Sequence, residues 1–153
     1  MGGPRAAQHG RMEIDRNGLE VLERRECIRL LATTPVGRVA VTSGALPTVL
    51  PVNYRVIDGL VVFRTAPGSK LDAAALDAVV ALEADAIDAA AQQGWSVVVV
   101  GVARQVRDDE IDPVERSRII PWAAGPGDRL VAISTEMVTG RRLRPLPRPA
   151  ETR

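Results

Sequence analysis

Val36-Gly37-Arg38-Val39-Ala40-Val41-Thr42, Thr48-Val49-Leu50-Pro51-Val52-Asn53-Tyr54-Arg55-Val56 and Leu60-Val61-Val62-Phe63-Arg64-Thr65 follow one another with only short breaks, and this run decides the fold. The first segment alternates apolar with small or polar residues, the period of a strand with one buried face. Ser43-Gly44-Ala45-Leu46-Pro47 supplies one turn, and Asp58-Gly59 is a strong two-residue hairpin signal. Three consecutive antiparallel strands are expected. Pro51 has no N–H to give to a ladder, so its strand is expected to lie at an edge or to bulge there.

Downstream, Ser69 is placed to cap a short helix from Lys70 to about Leu76, with Asp72 completing a capping box. Ala78 to Glu83 reads as a strand, a loop rich in Asp and Ala follows, and Trp95 to Val106 reads as a long strand whose first half is apolar on both faces. Such a strand needs cover on two sides, the barrel interior on one and an outside element, for instance a second subunit, on the other. Gly101 permits a bend. Asp112-Pro113-Val114-Glu115 starts a helix that Pro121 limits to about two turns. Arg129 to Val138 is the last expected strand. Upstream, helix formers dominate Leu19 to Thr33, with Cys27, Ile28 and Leu31 on one face, and Pro35 ends the helix. Six strands joined mostly by hairpins, with three short helices, predict a mainly β protein built as an antiparallel barrel. One domain over residues 18–143 is expected between polar tails at 1–17 and 144–153.

Composition narrows the function. With 153 residues, 46% apolar residues and a net charge of +1, the chain reads as a soluble globular protein with no bulk electrostatic footprint for nucleic acid. No apolar run approaches the roughly 20 residues of a membrane span, and Met1 to Arg11 lacks the apolar core of a secretion signal, so a cytoplasmic location is expected. One cysteine, Cys27, and one histidine, His9, cannot build a Cys/His metal cluster, and Cys27 has no histidine to activate it. Cys27 reads as a buried small hydrophobe. Lys70 is the only lysine among twenty basic residues.

That lysine stands in Phe63-Arg64-Thr65-Ala66-Pro67-Gly68-Ser69-Lys70, where backbone N–H groups, a hydroxyl and two cations are gathered as a phosphate monoester requires. A plain turn with an ordinary cap explains Ser69. It does not explain Lys70, because a cation in the first helical turn opposes the helix dipole by about 0.3–1 kcal/mol unless an anion is near. The order Gly-Ser-Lys is not that of a nucleoside-triphosphate loop.

A strand, Arg-Thr, Pro-Gly-Ser-Lys and a helix, set in a six-stranded barrel, resemble the pyridoxamine 5′-phosphate oxidase-like family, the flavin-binding split barrels, over roughly Leu19 to Leu143. The resemblance implies a homodimer with an FMN site at each side of the interface. It places the phosphate on Arg64, Thr65, Ser69 and Lys70, and the flavin ring along the backbone of Pro51, Val52 and Asn53. Trp95 and Ser96 match the start of the strand given by the partner subunit, and Arg141, in Thr139-Gly140-Arg141-Arg142-Leu143, matches a closing motif where an arginine approaches the cofactor. A flavin supplies its own redox chemistry, which accounts for the missing catalytic constellation, and no catalytic residue is assigned.

Each assignment has a plainer reading: Asn53 as a strand residue, Trp95 and Trp122 as packing, Arg141 and Arg142 as surface charges. For Tyr54 and Trp122 the packing role is preferred, and Asp108, Asp109, Glu110 and Asp112 read as a solvated loop and cap. The histidine and additional basic residues that would grip pyridoxamine phosphate are absent. With His9 in a tail, the haem-binding and histidine-dependent nitroreductase branches are not indicated either. The expected function is an FMN-dependent oxidoreductase acting on an unassigned small molecule. A deazaflavin in the same basic turn, and a non-catalytic flavin-binding or interaction module, are the alternatives.

Overall fold

The computed structural model describes residues 12–120 and 129–145. His9, Pro121 and Trp122 lie outside them, as do the outer parts of both expected tails. In chain order the elements are β1 (Glu20–Val21), α1 (Arg24–Leu31), β2 (Val36–Ser43), β3 (Leu46–Ile57), β4 (Leu60–Thr65), α2 (Lys70–Ala75), β5 (Val79–Asp88), β6 (Gln93–Gln105), α3 (Pro113–Ser117), β7 (Arg129–Ser134) and β8 (Met137–Leu143).

Six of these strands close on themselves. β5 pairs with β2, β2 with β3, β3 with β4 and β4 with β7, and the second half of β6 returns to β7, so the ring is an antiparallel split barrel. β8 and β1 extend the sheet beyond the first half of β6. The barrel strands are the six read from the sequence. Asp58 and Gly59 both take positive φ, 48° and 77°, as the tight hairpin turn requires. Gly44 and Ala45 do the same, so β3 begins at Leu46, two residues ahead of expectation. Before Tyr54, β3 has only β2 beside it among the described residues, which makes the stretch holding Pro51 an edge.

Three sequence expectations need correction. The single last strand is two, because Thr135 is buried between them: its N–H and hydroxyl donate to the Gly59 carbonyl oxygen at 3.1 and 2.8 Å, and Arg24 donates to its carbonyl. The first helix starts at Arg24 rather than near Leu19, because Glu20 and Val21 pair with Arg142 and Arg141 of the unanticipated β8. Tertiary pairing overrides helix propensity there. The loop expected after Glu83 is mostly strand, since β5 runs to Asp88 along β6 with Ala84 on the buried face.

The main core fills the barrel with Val39, Tyr54, Phe63, Leu82, Val97, Val99 and Ile133, joined by the inner face of α1 through Cys27 and Leu31. A second cluster, Val62, Val106, Ile111, Ile119, Leu130 and Ala132, lies where Ile111 and Ile119, on either side of α3, meet the outer face of β4 and β7. Cys27 is fully buried, and burial raises the pKa of its thiol above the usual value. No helix among the described residues is long and apolar enough to cross a membrane.

Candidate functional site

The residues assigned by resemblance fall into three neighbourhoods. The first is the turn between β4 and α2. Ser69 caps α2 as expected, its Oγ accepting from the Asp72 N–H at 3.1 Å. The capping box is only half formed, because the Asp72 carboxylate accepts from the Gly68 N–H at 2.9 Å. Asp72 is 4% exposed and takes three further hydrogen bonds, one from the Thr65 hydroxyl at 2.9 Å and two from Arg129 Nη1 at 3.0 and 2.9 Å. A carboxylate withdrawn from water needs such partners. The Thr65 hydroxyl is thus already bonded within the chain. Lys70 is exposed at the start of α2, and no ion pair holds its ammonium among the described residues.

The second neighbourhood joins Asn53 to Arg64. Phe63 stands opposite Tyr54 in the β3–β4 ladder, and both point into the core, so Arg64 and Asn53, the next residues along, share the outer face. Asn53 Nδ2 donates to the Ile120 carbonyl oxygen at 2.8 Å, and Arg64 donates through Nε to Ile119 at 2.5 Å and through Nη2 to Arg116 at 2.7 Å. Burial, then the nearby Arg116 charge, lowers the Arg64 pKa from its usual value. Two expected cofactor residues therefore fasten the end of α3. Beside them a cleft of about 400 Å³ opens between the corner after α1, β3 and residues 118–120. Two hydrogen bonds of Arg64 run to α3 and the segment after it, whereas those of the turn run to Asp72.

The third lies across the outer face of the open sheet. Register puts Arg141, Ser96 and Asp85 in one row and Thr139, Val98, Glu83, Arg38 and Pro51 in the next. Ser96 Oγ donates to Glu83 at 3.1 Å, Arg38 contacts Glu83 and Asp85 at 3.3 Å each, and Arg141 Nε donates to Asp15 at 2.7 Å. The third row, Met137, Val100, Ala81, Ala40 and Val49, is an apolar belt across five strands, with Met137 67% and Val49 60% exposed at its ends.

Val52 and Trp95 point the other way, into the core, at 6% and 8% exposed. Any part Val52 takes in a site on the outer face runs through its backbone. Tyr54, read as packing, is buried, with its hydroxyl donating to the Leu31 carbonyl oxygen at 2.6 Å. Sequence reasoning read Asp72 only as a capping-box acid and missed its bonds to Thr65, Gly68 and Arg129; the available signal was an acid two residues after the only lysine. No group of acids, cysteines or histidines suited to a metal occurs among the described residues.

Residues 23–142, most of the chain, match the family model described as pyridoxamine 5′-phosphate oxidase. The chain belongs to this family. An uncharacterised protein of Mycobacterium tuberculosis is 44% identical to this pyridoxamine 5′-phosphate oxidase relative over 127 residues, covering 80% of this chain and 84% of that one. A solved FAD binding protein from Mycobacterium smegmatis has 38% identity and a TM-score of 0.70, covering 81% of this chain and 99% of that chain. A FAD-binding protein from Mesorhizobium loti has 25% identity and a TM-score of 0.68, with coverage of 83% and 98%. The family's split barrel is thus matched over nearly the full length of both solved relatives.

Proposed function

We propose that this member of the pyridoxamine 5′-phosphate oxidase family binds a flavin nucleotide on the outer face of its barrel as a homodimer, and works as a flavin-dependent oxidoreductase on a small molecule. The observation that carries the reading is the 38% identity to a FAD binding protein along 99% of that protein's length. The residues present fit such a group. Lys70 is an exposed cation beside the Ser69 hydroxyl, the stretch holding Pro51 and Asn53 is an open edge, and Ser96 and Arg141 lie side by side on the same outer sheet face. A bound flavin supplies the redox chemistry, accepting and returning electrons. The chain's own part is to neutralise the phosphate with Lys70 and Arg64, to offer the backbone of residues 51–53 as a bed for the ring, and to exclude water by pairing two sheets.

The apolar belt supports the second copy. A row of five small and aliphatic side chains left outside a sheet is a surface that association would bury. In that arrangement Ser96 approaches the partner's ligand. Trp95 supports its own core and acts on the site only by fixing that strand.

FMN is the reading of the short basic turn, and FAD the second reading, favoured by what the two solved relatives bind. The test is purification followed by spectroscopy, with any released cofactor identified by chromatography against FMN, FAD and deazaflavin standards. A yellow dimer in which Lys70→Ala weakens binding about tenfold or more, the loss of one charge-assisted contact, is the expected result. A chain that takes up none of the three refutes the reading. Turnover with a reduced nicotinamide and an artificial acceptor separates an oxidoreductase from a non-catalytic flavin-binding module.

A further inference from the structure

We infer that Asp72 and Arg129 are positioning residues for the phosphate-binding turn, a role that rests on the flavin-phosphate reading above. The Asp72 carboxylate is surrounded by the Thr65 hydroxyl on Oδ1, the Gly68 N–H on Oδ2 and Arg129 Nη1 on both oxygens, all between 2.9 and 3.0 Å. These contacts bind together the end of β4, the middle of the turn, the first turn of α2 and the first residue of β7. Thr65 and Arg129 are also directly opposite each other in the β4–β7 ladder, so the ion pair is anchored at both ends by backbone. The carboxylate is 6% exposed and the guanidinium 27%, which separates this pair from the solvent-facing ion pairs elsewhere on the chain.

The arrangement fixes the shape of the turn before any ligand arrives. Gly68 carries a φ of 77° and its N–H is aimed inward at Asp72, while Ser69 caps α2 and Lys70 stands exposed. A preformed turn spares the ligand the cost of ordering it. The internal carboxylate satisfies the donors of Thr65, Gly68 and Arg129, and leaves Lys70 to the ligand.

Charge alone makes the opposite prediction, which is what makes the inference testable. Asp72 is an anion close to a site proposed for a dianion, so removing its charge should strengthen phosphate binding if Coulomb repulsion were its main effect. If Asp72 acts by position, removing it weakens phosphate binding in spite of the lost repulsion.

The experiment compares the affinities of the full chain for FMN and for riboflavin, which lacks the phosphate. Wild type is expected to prefer FMN by at least tenfold. Asp72→Asn, which keeps the shape but gives up the acceptor strength, is expected to lose about tenfold in FMN affinity and to hold riboflavin within about twofold. Arg129→Gln is expected to behave alike, while Arg129→Lys, which restores a cation, recovers part of the loss. Should Asp72→Asn be insoluble, Asp72→Ser carries the same comparison, because it too removes the anion and leaves the Arg129 cation in place. FMN affinity unchanged or raised in the variants, with the preference over riboflavin intact, overturns the positioning role alone. Equal wild-type affinity for the two flavins overturns the phosphate reading of the turn, and the positioning role with it. A general loss of folding would weaken both flavins together, which overturns a role specific to the phosphate.

Discussion

Replacing Arg64 by Ala separates two jobs that fall on one side chain. In the structure its guanidinium spans the last turn of α3, donating to Ile119 at 2.5 Å and to Arg116 at 2.7 Å. Ile119 is 1% exposed and packs with Val62 and Leu130, so its carbonyl has poor access to replacement water. A hydrogen bond to a charged group contributes roughly 1.5–3 kcal/mol, and the partly exposed guanidinium regains some hydration on unfolding, so the two bonds together are expected to contribute about 2 kcal/mol. In a domain of this size that lowers Tm by roughly 5–10 °C. Arg64→Lys keeps the charge but cannot span two carbonyls, and is expected to recover less than half of the loss. The assay is urea unfolding of flavin-free protein, with hydrogen exchange followed at residues 116–120, whose protection should fall first. Stability within about 0.5 kcal/mol of wild type, with unchanged exchange at Ile119, would refute the fastening role.

Further expectations concern the face and the pH limits. Val100→Asp, in the middle of the apolar belt, is expected to weaken self-association by at least tenfold in sedimentation analysis, because an unpaired carboxylate would be buried between copies; an unchanged dimer would remove the belt from the interface. Tyr54→Phe leaves the Leu31 carbonyl without its donor and is expected to lower stability by about 1–3 kcal/mol in chemical denaturation. Tyr54 is the only tyrosine, and burial, reinforced by the Glu83 charge, raises its pKa. The folded state therefore keeps the proton that the unfolded chain gives up: this contribution is complete below the ordinary value of 10.0 and is lost as pH rises past it, so the phenol absorbance should titrate only with unfolding. At the acid end, hydrogen bonding to Arg29, aided by the Arg29 and Arg142 charges, brings Glu26 from 4.5 to about 2. Its contribution is complete above 4.5 and is lost as pH falls toward 2, and high salt should flatten that part of the stability profile.

The six barrel strands were legible because each is an alternating or continuous apolar run, and the first three are also set off by turns that the residues themselves specify, Gly44-Ala45 and Asp58-Gly59. β8 was not legible. Ser134 supplies only a weak local turn, its Oγ accepting from the Glu136 N–H at 3.2 Å, and the chain breaks there because Thr135 is claimed by Gly59 and Arg24, far away in sequence. Missing β8 also lengthened the first helix, since Glu20 and Val21 have no reason to be extended without it. At the turn, the Ser69 cap could be read because cap and recipient are three residues apart. The Asp72–Arg129 pair spans 57 positions and the contact of Arg64 with Ile119 spans 55, distances over which residue pattern carries no signal. Local sequence thus predicted which residues form the turn, and long-range packing decided what holds them.

The meeting of the two ends of the domain bears on how the chain must fold. Leu22 donates to Gly140 at 3.0 Å, and Cys27 sits so close to Gly140 that a methyl group there would come within 2.7 Å of its sulfur. The first helix therefore lacks part of its seat until nearly the last strand has been synthesised, and the 13-residue β6 waits with one side unpaired for the same event. Long-range closure of this kind is slow. The growing chain emerges with its aliphatic stripe uncovered, and the interval before residue 140 leaves the ribosome is when this protein is most exposed to aggregation or to capture by a chaperone.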